Sequence, residues 1–302
     1  MGYDVAQALL PAASPLMGTL LIRHRATHAN RVETSLDTAG KSACATAGPT
    51  TNNDRGAWKV FRTQAATDKS LNIELWREAG PRWDVKEVRV EKVDGSTAKV
   101  TVRADLPAVG ATYAMTYTIH GDGEIQVECG YKPGAEKLSM MPRFGTELVV
   151  APGFENLAWY GRGPKETMID RAFERIGVYR STVDKEWVEY MRPQENGNKT
   201  EVRWVKLTNA AGVGILATGA APLNVAARHF TKTDMERAGY TFQMKPHPET
   251  YLNLDGVQMG AGGIDSWSPN AYPMTPYRLP SGEERSFSYT LKGVAAEVAA
   301  KQ

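Results

Sequence analysis

The chain has 302 residues, 42% hydrophobic and 23% charged, with 28 Gly and 17 Pro. At this length folding buries roughly 75% of the surface that the unfolded chain exposes, so a large core is expected, and the composition excludes disorder and collagen-like structure. The 36 basic and 34 acidic residues are interspersed and leave a formal net charge of +2, which provides no field to hold nucleic acid or an anionic membrane surface. Two cysteines, Cys44 and Cys129, are too few for a disulfide framework and lie in no zinc-type spacing.

The first 47 residues are Ala-rich, bunch Arg23, His24, Arg25, His28 and Arg31 together, and hold no sustained period of 2 or 3.6. Residues 1–47 are therefore expected to be a poorly ordered arm, and residues 48–302 the folded domain. Pro11 and Pro15 interrupt the apolar runs near the start and no Lys or Arg precedes them, so no secretory signal is expected and the location is cytoplasmic or periplasmic. No run reaches the roughly 20 apolar residues of a membrane span.

Ser70 to Ala79 predicts a few helical turns. From Trp83 onward, apolar and polar residues alternate. Val88-Arg89-Val90 and Val100-Thr101-Val102 flank Asp94-Gly95 and read as a hairpin, and Tyr113 to Ile119 returns through Gly121-Asp122-Gly123 into Ile125 to Cys129. That is a four-strand antiparallel meander. Further strands are predicted at Gly145 to Val150, Glu201 to Thr208, Gly212 to Thr218, Leu223 to His229, Thr250 to Leu254 and Ser286 to Leu291, with Trp159 and Trp204 as core residues in strand-like surroundings. A short helix is predicted from Thr233 to Ala238, capped by Thr231 or Thr233. No strand–helix rhythm is present, so an α/β barrel or a doubly wound sheet is not expected.

Three long stretches carry more information: Asn156-Leu157-Ala158-Trp159-Tyr160-Gly161-Arg162-Gly163-Pro164-Lys165-Glu166 continuing to Asp170-Arg171, Tyr190-Met191-Arg192-Pro193-Gln194-Glu195-Asn196-Gly197-Asn198-Lys199-Thr200, and Leu252 through Asp255, Gly260, Asp265, Ser266 and Trp267 to Pro269. In that order and spacing, together with Asn53-Asp54-Arg55-Gly56, Trp76-Arg77-Glu78-Ala79-Gly80 and Pro142-Arg143-Phe144-Gly145, they resemble the C-terminal small-chain domain of family-2 β-galactosidases over roughly Pro49 to Val294.

The resemblance implies an all-β antiparallel supersandwich of the galactose-mutarotase type. It implies that Trp267, beside Asp265 and Ser266, forms part of the wall against which a β-galactoside sits. An indole buries about 150–250 Å² and offers one N–H for a hydroxyl, which suits the C–H face of a pyranose. Gly260, Gly262 and Gly263 would let that segment bend. Arg162, Glu166, Asp170 and Arg171 are expected to hold their loop through ion pairs. Arg192, Glu195, Asn196 and Asn198 are expected either to meet a partner domain or to cap their own backbone. Thr167 and Met168 replace an Asn and a Tyr usual in the family, and Ile264 stands where an acid is common.

A calcium ion is a further implication of the resemblance, with Asn52, Asn53, Asp54 and Glu166 as oxygen ligands; no cofactor is required by this chain. Retaining glycosidases hold two carboxyl groups about 5–5.5 Å apart on a rigid frame, and the family carries them on a barrel that this chain lacks. The expected partner is therefore a catalytic barrel domain or large chain, with an oligomer as a further possibility. Upstream of Pro49 the resemblance stops, which is what a truncated or frameshifted gene would produce, and it would leave an unpaired sheet edge. The competing functions are a stand-alone aldose 1-epimerase, which needs a His paired with a carboxylate, and a non-catalytic carbohydrate-binding module.

Overall fold

A computed structural model describes residues 73–264 and 273–295. The expected arm over 1–47, Asn53 and Asp54, and Asp265, Ser266 and Trp267 lie outside the described residues.

The meander forms as the alternation predicts: β1 (Asp84–Lys92), β2 (Thr97–Leu106), β3 (Ala111–His120) and β4 (Ile125–Lys132) pair antiparallel in sequence order. Asp94 closes the first turn, its Oδ1 accepting from the Ser96 N–H at 2.7 Å. The chain then forms β5 (Arg143–Val150), β6 (Phe154–Gly163), β7 (Arg175–Thr182), β8 (Lys199–Asn209), β9 (Gly214–Arg228), β10 (Thr250–Gln258) and β11 (Arg285–Val294). The strands run in the order β1-β2-β3-β4-β11-β9-β8-β6-β7, and β10 joins β9 to β5 as a branch. The architecture is all-β and antiparallel, as expected.

The branch departs from the sequence reading. Two strands are predicted over 212–229, where the structure has one 15-residue strand. Its first part, Gly214 to Gly219, pairs with β11, and its last part, Asn224 to Arg228, pairs with β10. Pro222 lies between, where a proline removes no ladder hydrogen bond, so the strand continues while its partner changes. Strand β7, Arg-Ile-Gly-Val-Tyr-Arg, is missed because its apolar residues are largely exposed at the sheet's end and carry no buried face to mark them.

The branch turns β5 onto the inner face of the meander. Phe144 on β5 meets the rings of Tyr113, Tyr131 and Phe287 at 6.2, 6.2 and 5.2 Å, and Thr146 Oγ1 lies 3.0 Å from Tyr289 Oη. Val100 and Val102 on β2 are buried as well, and Met115, Val127, Ile215, Val205, Leu207, Leu157, Leu252 and Leu254 complete one buried cluster spanning both layers. Trp159 is buried in it as predicted, whereas Trp204 is only half-buried, because its register neighbours Tyr160 and Thr218 place it on the outer face.

Helical content is small. Ile73–Glu78 winds as a 3-10 helix that buries Trp76 against Tyr131. Helix α1 (Lys232–Arg237) starts at Thr231, whose side chain accepts from the Asp234 N–H while the Asp234 side chain accepts from the Thr231 N–H. None of these helices is long and apolar enough to cross a membrane.

Candidate functional site

The three stretches singled out in the sequence meet at one end of the sandwich. The Thr167 N–H donates to the Asn198 carbonyl at 2.7 Å, and Asn198 Nδ2 donates to the Thr167 carbonyl at 2.8 Å. Glu166 accepts from the Gly197 N–H at 2.9 Å and also from Arg171 Nη2 and Tyr190 Oη. Asp170 Oδ2 accepts from the Gly262 N–H at 2.9 Å, which ties the first stretch to the third. Segment 265–272 therefore leaves the described structure from a fastened foot: Gly260 also donates to the Tyr277 carbonyl at 2.9 Å on the return side.

Gly260 is required here for a reason other than bending. Its φ is not positive. A Cβ at this position would lie 2.7 Å from Asp170 Oδ2 and 2.9 Å from the Tyr277 side chain, so it is the closeness of two neighbours that demands glycine. Thr167, which departs from the family pattern, is fully buried, and its hydroxyl pairs with Thr200 Oγ1 at 2.9 Å and accepts from the Thr200 N–H. Met168 is buried beside it.

Beneath this end lies a network of buried charges that the sequence reading missed. Register places Arg143 opposite Gln258, Gly145 opposite Asp255 and Glu147 opposite Asn253 across β5 and β10. Arg143, 1% exposed, donates through Nε to Asp255 Oδ2 at 2.9 Å and through Nη1 to Glu195 Oε2 at 3.0 Å. Glu195 also accepts from Arg228 Nη1 at 3.4 Å, and Arg228 Nη2 donates to Asn253 Oδ1. Asn253 Nδ2 donates to Glu147 Oε2 at 3.1 Å, and Lys232 Nζ lies 3.0 Å from the same oxygen. Arg143, Arg228 and Lys232 thus balance Glu147, Glu195 and Asp255.

Desolvation opposes every charge in this network, and the partners decide the outcome. Burial raises the Glu147 carboxyl, but Lys232 and Arg228 outweigh it and hold it down at about 2. Burial works against Glu195 too, and the guanidiniums of Arg143 and Arg228 prevail and lower it. At Asp255 burial wins and the carboxyl is raised despite Arg143, while Lys232 is lowered by burial. The one signal that could have found this network is the placement of Arg143, Glu195, Asn253 and Asp255 inside the quoted motifs. Asn253 and Asp255, however, alternate with Leu252 and Leu254 and read as a solvent face.

The remaining expected site residues are structural in geometry. Arg162 Nη1 donates to the Glu174 carbonyl at 2.9 Å. Asn196 pairs its amide with both backbone groups of Val188, so it caps its own loop. Arg192 is half-buried in the same loop. Glu166 pairs with Arg171, and the other residues named for a calcium ion, Asn52, Asn53 and Asp54, lie outside the described residues.

Two cavities of about 400 and 640 Å³ lie elsewhere, one where β9 changes partner and one over β2 to β4. Neither is lined by His229 or His247, which pair with Glu155 and Asp234 at 2.8 Å each. The buried carboxylates Glu195 and Asp255 are engaged by guanidinium groups and closed to solvent.

Fold and site together define an antiparallel β-sandwich domain whose central carboxylates serve ion pairs and whose motifs are hydrogen-bonded to one another through Thr167, Glu166 and Asp170. Residues 28–291 match the family described as Beta galactosidase small chain, and the chain belongs to that family. It is 31% identical over 237 residues to a β-galactosidase of Priestia megaterium (strain DSM 319 / IMG 1521), covering 76% of this chain and 22% of that protein. To a β-galactosidase of Lactobacillus delbrueckii subsp. bulgaricus it is 30% identical over 224 residues, covering 74% and 21%. The chain thus spans about a fifth of the length of the curated relatives it matches. Among solved structures, galactose 1-epimerase from Lactobacillus acidophilus NCFM is similar, with a TM-score of 0.40 and 6% identity over 72% of this chain and 68% of that one.

Proposed function

We propose that the chain is the small-chain part of a β-galactosidase that removes terminal non-reducing β-D-galactose, with the catalytic carboxylates on a barrel domain or large chain. In this reading Trp267, with Asp265 and Ser266, completes the sugar site, and the chain by itself hydrolyses nothing. The observation that supports it is the surface around the foot of segment 265–272. Met191 (82% exposed), Phe242 (83%) and Ile264 (78%) stand out there, with Ile169, Tyr240 and Met274 also exposed.

These residues are linked. The Thr241 N–H donates to the Met191 carbonyl, and the Tyr240 and Phe242 rings stack at 5.5 Å. Ile169 and Ile264 adjoin the Asp170–Gly262 hydrogen bond, and the Met274 carbonyl accepts from the Tyr277 N–H. Exposed Met, Tyr and Phe gathered in one place suit a surface that another domain covers.

The test combines the chain with the catalytic portion of the Priestia megaterium relative, deleted of its small-chain region, and follows cleavage of a chromogenic galactoside. Activity is expected only in the mixture, and Trp267→Ala is expected to raise KM more than it lowers kcat. Cleavage by the chain alone, or activity of the catalytic portion that the chain does not increase, overturns the reading. Polarimetry of α-galactose with the chain alone is expected to show only the spontaneous rate of mutarotation.

A further inference from the structure

Three strands have one edge that no described strand pairs: β5, which is largely buried on the inner face of the meander, and β1 and β7, which end the main path of the sheet. An unpaired edge is a template for another strand unless charge, proline or a bulge blocks it. Strand β7 carries Arg175 and Arg180 and no acid, so it offers no complementary charge to a second copy. Strand β1, Asp-Val-Lys-Glu-Val-Arg-Val-Glu-Lys, alternates sign along its length.

Its valines are also unfinished. Val88 lies opposite Val102 and Val90 opposite Val100, so they share the core face of the sheet with residues that are almost fully buried. Yet Val85, Val88 and Val90 are between 40% and 46% exposed. Among the described residues, nothing covers the core face where it runs out to this edge.

We propose that the edge of β1 pairs antiparallel with β1 of a second copy of this chain, about a two-fold axis at Val90. Cross-strand neighbours must share a face, which excludes every register that sets odd against even residues. Centring on Arg89 puts Arg89 against its own copy and Glu87 against Glu91, like charges directly opposed. Centring on Val88 runs into the bulge between Val85 and Glu87.

Centring on Val90 uses only the regular stretch beyond that bulge. It sets Val90 against the partner's Val90, Arg89 against the partner's Glu91 twice by symmetry, and Val88 against the partner's Lys92, whose methylene stem can lie over it. The bulge thus blocks one end of the edge and selects the register at the other. In the single chain Arg89 and Glu91 pair with each other on an exposed surface, an interaction worth little that is readily exchanged.

Sedimentation of the full chain over a concentration series tests the proposal. A reversible dimer is expected at the weak end of protein association, because two paired edges bury less than a standard interface. Arg89→Glu is expected to raise the dimer dissociation constant on the order of tenfold, since two attractive pairs become repulsive. Arg89→Glu combined with Glu91→Arg is expected to return it to near the wild-type value. Thermal melts monitored by circular dichroism establish that each variant is folded.

A chain that stays monomeric up to its solubility limit overturns the proposal. So does a dimer indifferent to Arg89→Glu, which would place association elsewhere, for example at Tyr240 and Phe242. Failure of the double variant to restore the dimer overturns the register on which the proposal stands.

Discussion

Glu195 holds two guanidinium groups at once, those of Arg143 and Arg228, inside the protein. Glu195→Gln keeps the shape and removes the charge, leaving three cations in the network against two carboxylates. Removing one partner of a buried ion pair costs about 3–5 kcal/mol, and urea unfolding is expected to show a loss of that order. The same network sets the acid limit of stability. Glu147 is held at about 2, below its ordinary 4.5, so its contribution is complete above about pH 4.5 and disappears as pH falls toward 2.

His229 acts in the opposite direction. Burial lowers it, but the Glu249 carbonyl and the Glu155 carboxylate outweigh that and raise it above 6.5. Its contribution is therefore complete below about pH 6.5 and is lost as pH rises through the folded value. Thermal melts across pH are expected to show a falling acid limb that Glu147→Gln reduces and a shallower fall above neutrality that His229→Gln removes.

Among the elements, β5 and β10 depend on a single missing side chain. A Cβ on Gly145 would lie 1.7 Å from Asp255 Oδ1. Gly145→Ala must therefore push Asp255 off Arg143 or separate the strands. Overpacking costs about 1–3 kcal/mol, and the upper end is expected here because a buried ion pair is disturbed as well. Helix α1 makes a smaller test: Thr231→Ala removes the cap and is expected to cost about 1 kcal/mol. It should also loosen Lys232, at the first position of the helix, from Glu147.

The elements also show where reading by period succeeds. Strands β1 to β4 and α1 are visible because their signals are local: alternation, an Asp-Gly turn, a Thr with an acid three residues on. Strand β9 reads as two strands in the sequence because Pro222 and the small residues around it look like a turn when no partner is known. Buried Arg143 and Asp255 were not visible as a pair, since 112 residues separate them and nothing local distinguishes an inward carboxylate from a solvated one.

For the whole molecule, the sequence by itself determined the all-β antiparallel architecture and the family, because both are written in short-range alternation and in long motifs that stay in register. It also pointed to Glu166, Glu195 and Asn196, through their motifs, without specifying what they touch. Only the tertiary structure decided that the three motifs gather at one end, that Glu195 turns inward to Arg143 and Arg228 while Glu166 turns to Arg171 and Tyr190, and that, among the described residues, the valines of β1 are left exposed on the core face. The physical reason is that chain proximity fixes turns and pleat, whereas the pairing of buried charges and the covering of apolar faces depend on contacts between segments that the sequence keeps far apart.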